Sequence, residues 1–325
     1  MNQALAGIDI GGTKIAIALA NLDGEILAKR RLPTPNENGP FALLEIVSQT
    51  LTEMIGENRS TLIAIGVGSP GPLDIDHGLI MSPSNLRDWD RVPIVDVLSK
   101  KFGVPVMLDN DANAAALGEF SFGAGRGFKN IFYVTVSTGI GGGVIIDGDI
   151  HHGVSTGAGE IGHTIVDPDG VRCNCGSVGC LETVSSGTHL VRLMKERLDS
   201  GEPTVIRDLI AGGTELSTLV LLEAVRRGDR VAIGIWDNAC RYLAISVANA
   251  ISLIAPEVVV IGGGISSAGY LLIEPLRKMV PEYVSMIPKS EINIVTAELG
   301  TESGLYGAIE LARRAERTAV AINTR

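Results

Sequence analysis

Cysteine, aromatic residues and positive charge are all scarce in this chain, and long hydrophobic runs are missing. Of 325 residues, four are cysteines and 4% are aromatic. Four thiols are too few for a disulfide scaffold, and so few rings require a core of aliphatic side chains. Lysine and arginine total 27 against 37 aspartates and glutamates, for a net charge of −10. That balance excludes a general nucleic-acid surface. No stretch of about 20 apolar residues exists, so no helical membrane span is expected. Met1 leads almost at once into a strand-like run, with no basic n-region, which sets the expectation of a cytoplasmic protein. No G-x-x-x-x-G-K-[ST] phosphate loop occurs. Gly262-Gly263-Gly264 follows an apolar run but lacks dinucleotide spacing, because position 267 is Ser.

Glycine, by contrast, is plentiful at 40 residues, and its placement is informative. The first forty residues read as three short strands, Leu5–Ile10, Ile15–Leu19 and Glu25–Arg30. Their turns are Gly11-Gly12-Thr13-Lys14 and Asn21-Leu22-Asp23-Gly24. Phe41–Ile55 has helical apolar spacing, and Leu62–Val67 reads as a buried strand. The same order returns later: a strand at Asn130–Ser137, the turn Thr138-Gly139-Ile140-Gly141-Gly142, a strand at Gly143–Ile146, and the hairpin turn Asp147-Gly148-Asp149. The two glycine turns are about 127 residues apart, which predicts two β-hairpin-led α/β units, duplicated. Helices are predicted over Val231–Leu253 and Thr301–Arg317, with fraying beyond. Cys240 reads as a buried core thiol.

Glycine turns that follow strands let backbone N–H groups approach phosphate oxygens, although tight hairpins need glycine too. The first turn adds polar side chains to its Gly11 and Gly12. Asp9 could hold Mg²⁺ through water, while Thr13 and Lys14 could bind phosphate oxygens. The run Asp109-Asn110-Asp111-Ala112-Asn113 lies between a strand and an Ala-rich helix. Asp111 there either caps the helix or faces a cleft and takes a proton from an attacking hydroxyl.

The most specific stretch is Glu160-Ile161-Gly162-His163 followed by Cys173-Asn174-Cys175-Gly176-Ser177-Val178-Gly179-Cys180-Leu181-Glu182. One His and three thiolates, His163, Cys173, Cys175 and Cys180, make a closed tetrahedral set suited to structural zinc. The alternatives are a metal-free loop or a disulfide. Glu160 and Glu182 bracket the set, and a pinned loop carrying two carboxylates suits a polyhydroxylated ligand.

Taken together, Asp9-Ile10-Gly11-Gly12-Thr13-Lys14, Asn110-Asp111-Ala112-Asn113, Thr138-Gly139-Ile140-Gly141-Gly142-Gly143, Glu160–His163 and the cysteine loop resemble the ROK family over essentially the whole chain. The resemblance is closest to the family's bacterial glucose kinases. It implies a two-domain, actin-like (ribonuclease H-like, duplicated) α/β sugar-kinase fold with an interdomain cleft. Residues 1–117, joined by the helix 302–317, would form a smaller domain, and residues 118–301 a larger one carrying the zinc loop. It implies ATP and Mg²⁺, structural Zn²⁺, and phosphorylation of a hexose at its 6-hydroxyl, with glucose foremost. N-acetylmannosamine and fructose kinases are the alternatives. By the same resemblance Asp111 is the general base, and Asn85, Asn110, Glu160, His163 and Glu182 contact the sugar. Asp9, Gly11, Gly12, Thr13, Lys14, Thr138, Gly139, Gly262, Gly263 and Gly264 serve the nucleotide side. Ser137 departs from the glycine frequent at that position. A homodimer or dimer of dimers is implied. A sugar-responsive repressor would need a DNA-binding segment before Asp9, and the acidic charge disfavours it.

Overall fold

Alternation along the first strands decides how the chain folds back on itself. In a computed structural model describing residues 2–34, 39–83 and 85–323, β1 (Asn2–Ile10), β2 (Lys14–Ala20) and β3 (Ile26–Pro33) form an antiparallel meander. Next come α1 (Gly39–Glu57), β4 (Ser60–Ser69), the short pair β5 (Leu73–Asp74) and β6 (Leu79–Ile80), α2 (Ile94–Phe102), β7 (Val106–Asn110) and α3 (Asp111–Phe122). The second half runs β8 (Ile131–Val136), β9 (Ile140–Ile146), β10 (Asp149–Ile150), α4 (Glu182–Ser185), α5 (Gly187–Asp199), α6 (Ile206–Ile210), α7 (Thr218–Arg226) and α8 (Arg230–Ile254). It closes with β11 (Val258–Gly262), α9 (Tyr270–Tyr283), β12 (Ile294–Thr296) and α10 (Ser303–Asn323).

The two main sheets have matching orders, β3-β2-β1-β4-β7 and β10-β9-β8-β11-β12. In each, a hairpin leads and two parallel strands follow. The duplication predicted from the glycine turns is thus visible in the topology. The chain divides into two compact units. One comprises residues 1–129, 143–158 and 301–325, the other residues 130–142 and 159–300. The first unit runs continuously to Lys129, and within it α3 packs on α10. Residues 143–158 count with the first unit, where Arg314 Nη1 of α10 holds Asp149 at 2.8 Å.

Within the first unit, one sheet face carries large side chains. Ile8, Ile10, Ile15, Ile17, Leu19, Ile65 and Val67 bury against Leu43, Leu44, Val47, Leu51 and Met54 of α1. The opposite face is small: Ala16, Ala18, Ala20 and Ala64, with Leu5, meet Leu305, Ile309 and Ala312 of α10. Gly66 lies so close beneath that helix that a Cβ there would stand 1.9 Å from the Ala308 carbonyl oxygen. Gly118 of α3 and Gly307 of α10 permit equally close approach between those helices. Small residues therefore let α10 run backbone-to-backbone over the strands that carry Asp9 and Asp109. The helix continues to Asn323, past the expected end at Arg317; residues 324–325, where fraying was also expected, lie outside the described residues.

Candidate active site

In the first unit, three parallel strands deliver polar residues to one sheet edge. Asp9 of β1 is in register with Gly68 of β4, and Gly68 with Asp109 of β7; Ser69 pairs with Asn110. Parallel strands end on the same side, so the turns after Ile10, Ser69 and Asn110 all leave from that edge. The Gly11 N–H donates to the Lys14 carbonyl at 2.9 Å, and the Thr34 hydroxyl donates to the Gly11 carbonyl at 2.8 Å. A Cβ on Gly12 would stand 2.9 Å from the Asn85 carbonyl oxygen. The turn and Asn85 are therefore in contact, while the Thr13 and Lys14 side chains remain exposed.

Asp9 points to the small-residue face. A Cβ on Gly304, at the start of α10, would lie 3.1 Å from its carboxyl atoms. Its carboxyl is pushed up from 3.8 to about 6, first by burial and then by the Asp111 charge; Lys14 opposes this and Glu302 adds to it.

The helix cap offered to Asp111 belongs to Asn110. The Asn110 side chain accepts from the Ala112 N–H at 2.9 Å and the Asn113 N–H at 3.4 Å. Asp111 is the first helical residue, and its Oδ1 accepts from the Ala112 N–H at 2.8 Å.

Two polar residues that the sequence reading passed over lie just behind. Asp109 is 3% exposed. It accepts from the Asn110 N–H at 2.7 Å and from Asn113 Nδ2 at 2.9 Å, and its Oδ2 meets His152 Nε2 at 2.7 Å. A carboxylate closing a buried strand requires partners, and that requirement was the available signal. No local spacing linked it to His152, 43 residues away.

In the second unit, parallel neighbours β8 and β11 bring two glycine turns side by side. Gly263 has φ +84°, and a Cβ there would stand 2.4 Å from the Val136 carbonyl oxygen. A Cβ on Gly262 would meet the Tyr133 hydroxyl, and one on Gly264 the Ser137 hydroxyl. The turn Thr138–Gly139 rests on Glu182: the Ile140 N–H donates to Glu182 Oε2 at 3.0 Å, and a Cβ on Gly139 would come within 2.7 Å of that oxygen. One oxygen of Glu182 thus braces the turn.

The ligand atoms of His163, Cys173, Cys175 and Cys180 lie within 4.8 Å of one another. Cys173 Sγ is 3.7 Å from His163 Nδ1, and Cys175 Sγ is 3.6 Å from Cys180 Sγ. A zinc tetrahedron with Zn–S of about 2.3 Å and Zn–N of about 2.0 Å has edges of about 3.8 and 3.5 Å, so the four donors fit that ion. All four cysteines are free thiols. Burial, reinforced by Cys175 and Cys173, pushes the Cys180 thiol up to about 12. A backbone hydrogen bond from Ser177 draws Cys175 down to about 6. Thiols this crowded cannot all ionise without a cation among them. With Nδ1 turned to the sulfurs, His163 turns Nε2 toward Glu160 Oε2, 3.9 Å away. The imidazole can thus serve a metal and a ligand at once.

The predicted residues fall into two groups. Asp9, Gly11, Gly12, Thr13, Lys14, Asn85, Asn110 and Asp111 belong to the first unit. Thr138, Gly139, Glu160, His163, Cys173, Cys175, Cys180, Glu182 and Gly262–Gly264 belong to the second. Each group combines glycine turns with carboxylates, a pairing suited to phosphate and hydroxyl ligands.

Comparisons with known proteins point the same way. The ROK family profile matches residues 5–315. The chain is 38% identical over 307 residues to a glucokinase of Thermotoga maritima, covering 94% of this chain and 96% of that protein. The structure of a ROK hexokinase from Thermus thermophilus aligns with TM-score 0.81 at 34% identity, covering 97% of this chain and 99% of that one. A ROK family glucokinase from Streptomyces griseus, solved in complex with glucose and AMPPNP, aligns with TM-score 0.81 at 33% identity, covering 96% and 99%.

Proposed function

This chain belongs to the ROK family, and on that premise we propose that it is an ATP-dependent hexose kinase that phosphorylates glucose at its 6-hydroxyl. Its architecture is the duplicated α/β actin-like sugar-kinase fold. The observation that carries the chemistry is the division of labour at the start of α3. Asn110 takes the cap, and Asp111 follows it as a first-turn carboxylate whose Oδ1 accepts from the Ala112 N–H.

In this reading Asp111 accepts the proton of the attacking sugar hydroxyl late in phosphoryl transfer. Glu160, His163, Glu182, Asn85 and Asn110 bind the sugar hydroxyls. The turns at Gly11–Lys14, Thr138–Gly139 and Gly262–Gly264 receive the nucleotide, with Thr13 and Lys14 donating to phosphate oxygens. Asp9 holds Mg²⁺ through water, and the ion when bound neutralises charge on the transferring phosphoryl group. His163, Cys173, Cys175 and Cys180 hold zinc, which fixes the loop between Glu160 and Glu182. The glucose and AMPPNP bound by the Streptomyces griseus relative support this pair of ligands. Among the described residues no helix is long and apolar enough to cross a membrane. A kinase drawing on ATP works where ATP is made and used, in the cytoplasm. Assembly as a homodimer or dimer of dimers completes the proposal, and light scattering at micromolar concentration tests it.

A coupled ADP-release assay over glucose, mannose, fructose and N-acetylmannosamine decides the function. The expected result is fastest turnover on glucose, with ATP preferred over polyphosphate in a parallel assay of sugar phosphate. Faster turnover on N-acetylmannosamine would reassign the sugar, and no ADP release with any hexose would overturn the reading.

A further inference from the structure

Asp109 stands two residues before Asp111 and, at 3% exposure, is buried. A buried carboxylate survives in its charged form only when donors surround it. Two of its donors are local: the Asn110 N–H at 2.7 Å and Asn113 Nδ2 at 2.9 Å. They tie the end of β7 to the first turn of α3. The third is His152 Nε2 at 2.7 Å, from the segment that follows β10. His152 is thus the one donor among these that anchors the Asn110–Asp111 segment from outside it.

His152 borders a hollow of about 470 Å³, also lined by Asp109, Asp149, Arg314 and Arg317. Arg314 is committed to Asp149 Oδ1 at 2.8 Å, to the Gly148 carbonyl at 2.8 Å and to Glu310 at 3.3 Å. The hydrogen bond to Asp109 raises the imidazole's pKa above 6.5 against the opposing effect of burial, and the charges of Asp109 and Asp76 add to the rise. That places the protonated form, and a charge-assisted bond, nearer the physiological range.

We propose that His152 is a positioning residue for phosphoryl transfer: through Asp109 it fixes the Asn110–Asp111 segment, so that the Asp111 carboxylate stays aimed at the hydroxyl it deprotonates. This rests on the hexose-kinase reading above. His152 does not touch substrate in this account, so its loss affects the alignment of the base rather than ligand binding. A misalignment of about 1 Å costs up to roughly 100-fold in rate.

The test compares wild type with His152→Ala, which removes the donor, and His152→Gln, which keeps a donor without the ring. His152→Ala should lose turnover roughly tenfold or more, with KM for glucose and for ATP within about twofold of wild type. His152→Gln should recover most of that loss. In parallel, hydrogen exchange at the amides of Asn110–Asn113 should quicken in the Ala variant and return toward wild type in the Gln variant. A merely structural contribution would lower thermal stability without the split between turnover and KM. Unchanged turnover with unchanged exchange in His152→Ala, or a rise in KM at constant turnover, overturns the proposal. Should the wild type itself lack hexose kinase activity, the functional reading fails, and the exchange result alone decides whether His152 holds this segment.

Discussion

Asp9 and Asp111 occupy one edge of the same sheet, yet a substitution at each should act in a different way. A sugar hydroxyl is a weak nucleophile at neutral pH, and a carboxylate base typically contributes 10²- to 10⁴-fold. Asp111→Asn keeps the size of the side chain, and Asn110 continues to cap the helix. The variant is expected to melt within about 0.5 kcal/mol of wild type and to bind glucose and ATP normally by titration calorimetry. Its turnover should fall roughly 10²-fold or more. Turnover within a few-fold of wild type would remove Asp111 from the base role. Asp9 carries the opposite sign on stability. Its carboxyl is raised from 3.8 to about 6, so the folded chain holds a proton that the unfolded chain loses first. No penalty exists below about pH 4. Stability then falls as pH rises from about 4 to 6, and the full cost, at most about 3 kcal/mol, remains above that. Without Mg²⁺, Asp9→Asn should therefore melt higher than wild type at pH 7.5, with a gap that closes toward pH 4, while its turnover drops. A gap that does not vary with pH would show that burial of this charge is not what limits stability. The clustering of His163, Cys173, Cys175 and Cys180 was legible in the sequence because one His and three Cys crowd into a short stretch. Asp109 and His152 were not, since a pair 43 residues apart leaves no local pattern.

At the scale of elements, the small-residue face of the first sheet is the device that places the site. Leu305 and Ile309 reach that face only because Ala16, Ala18, Ala64 and Gly66 leave room for α10. Gly66→Ala would drive a methyl into the Ala308 carbonyl, 1.9 Å away. Because backbone rather than a pliable side chain stands there, a loss of at least about 1–3 kcal/mol is expected. Gly56 is the matched control: it lies within α1, and a Cβ there meets nothing within 4 Å. Gly56→Ala should gain about 0.5–1 kcal/mol, from helix propensity alone. Paired urea melts test both, and equal effects would contradict the close approach of α10. The long helices were legible because apolar residues repeat over several turns, as in α1 and α8. Between α4 and α7 an element as short as α6 (Ile206–Ile210) is too brief to show a period. The small face of the sheet was also hidden: alternating Ile and Ala reads as a buried strand without revealing that a helix backbone lies against the Ala side.

At the scale of the whole molecule, the two units each hold one tryptophan, so the contribution of the cysteine loop can be measured separately from the rest. Trp89 is 4% exposed in the first unit. Trp236 is 3% exposed in the second, with its indole N–H donating to the Leu271 carbonyl at 2.9 Å. Trp236→Phe leaves a reporter for the first unit only, and Trp89→Phe leaves one for the second. His163, Cys173, Cys175 and Cys180 all lie in the second unit, where the cysteine loop connects Glu160 to the start of α4. Without a cation, neighbouring thiols must keep protons or repel one another, and the metal-binding energy that adds to folding is lost. Elemental analysis should find about one zinc per chain, the stoichiometry of a single closed four-ligand site. Chelation under reducing conditions should cost the second unit several kcal/mol, or roughly 10 °C in its Trp236 transition. The Trp89 transition should stay within about 2 °C, provided the units unfold independently, as chains of more than one domain commonly do. Cys175→Ser should reproduce the effect of chelation and weaken glucose binding, because Glu182 and His163 lose their fixed loop. Zinc removed with neither transition displaced would reduce the metal to a passenger. Both transitions displaced equally would instead make the two units one cooperative body, with the cysteine loop holding all of it.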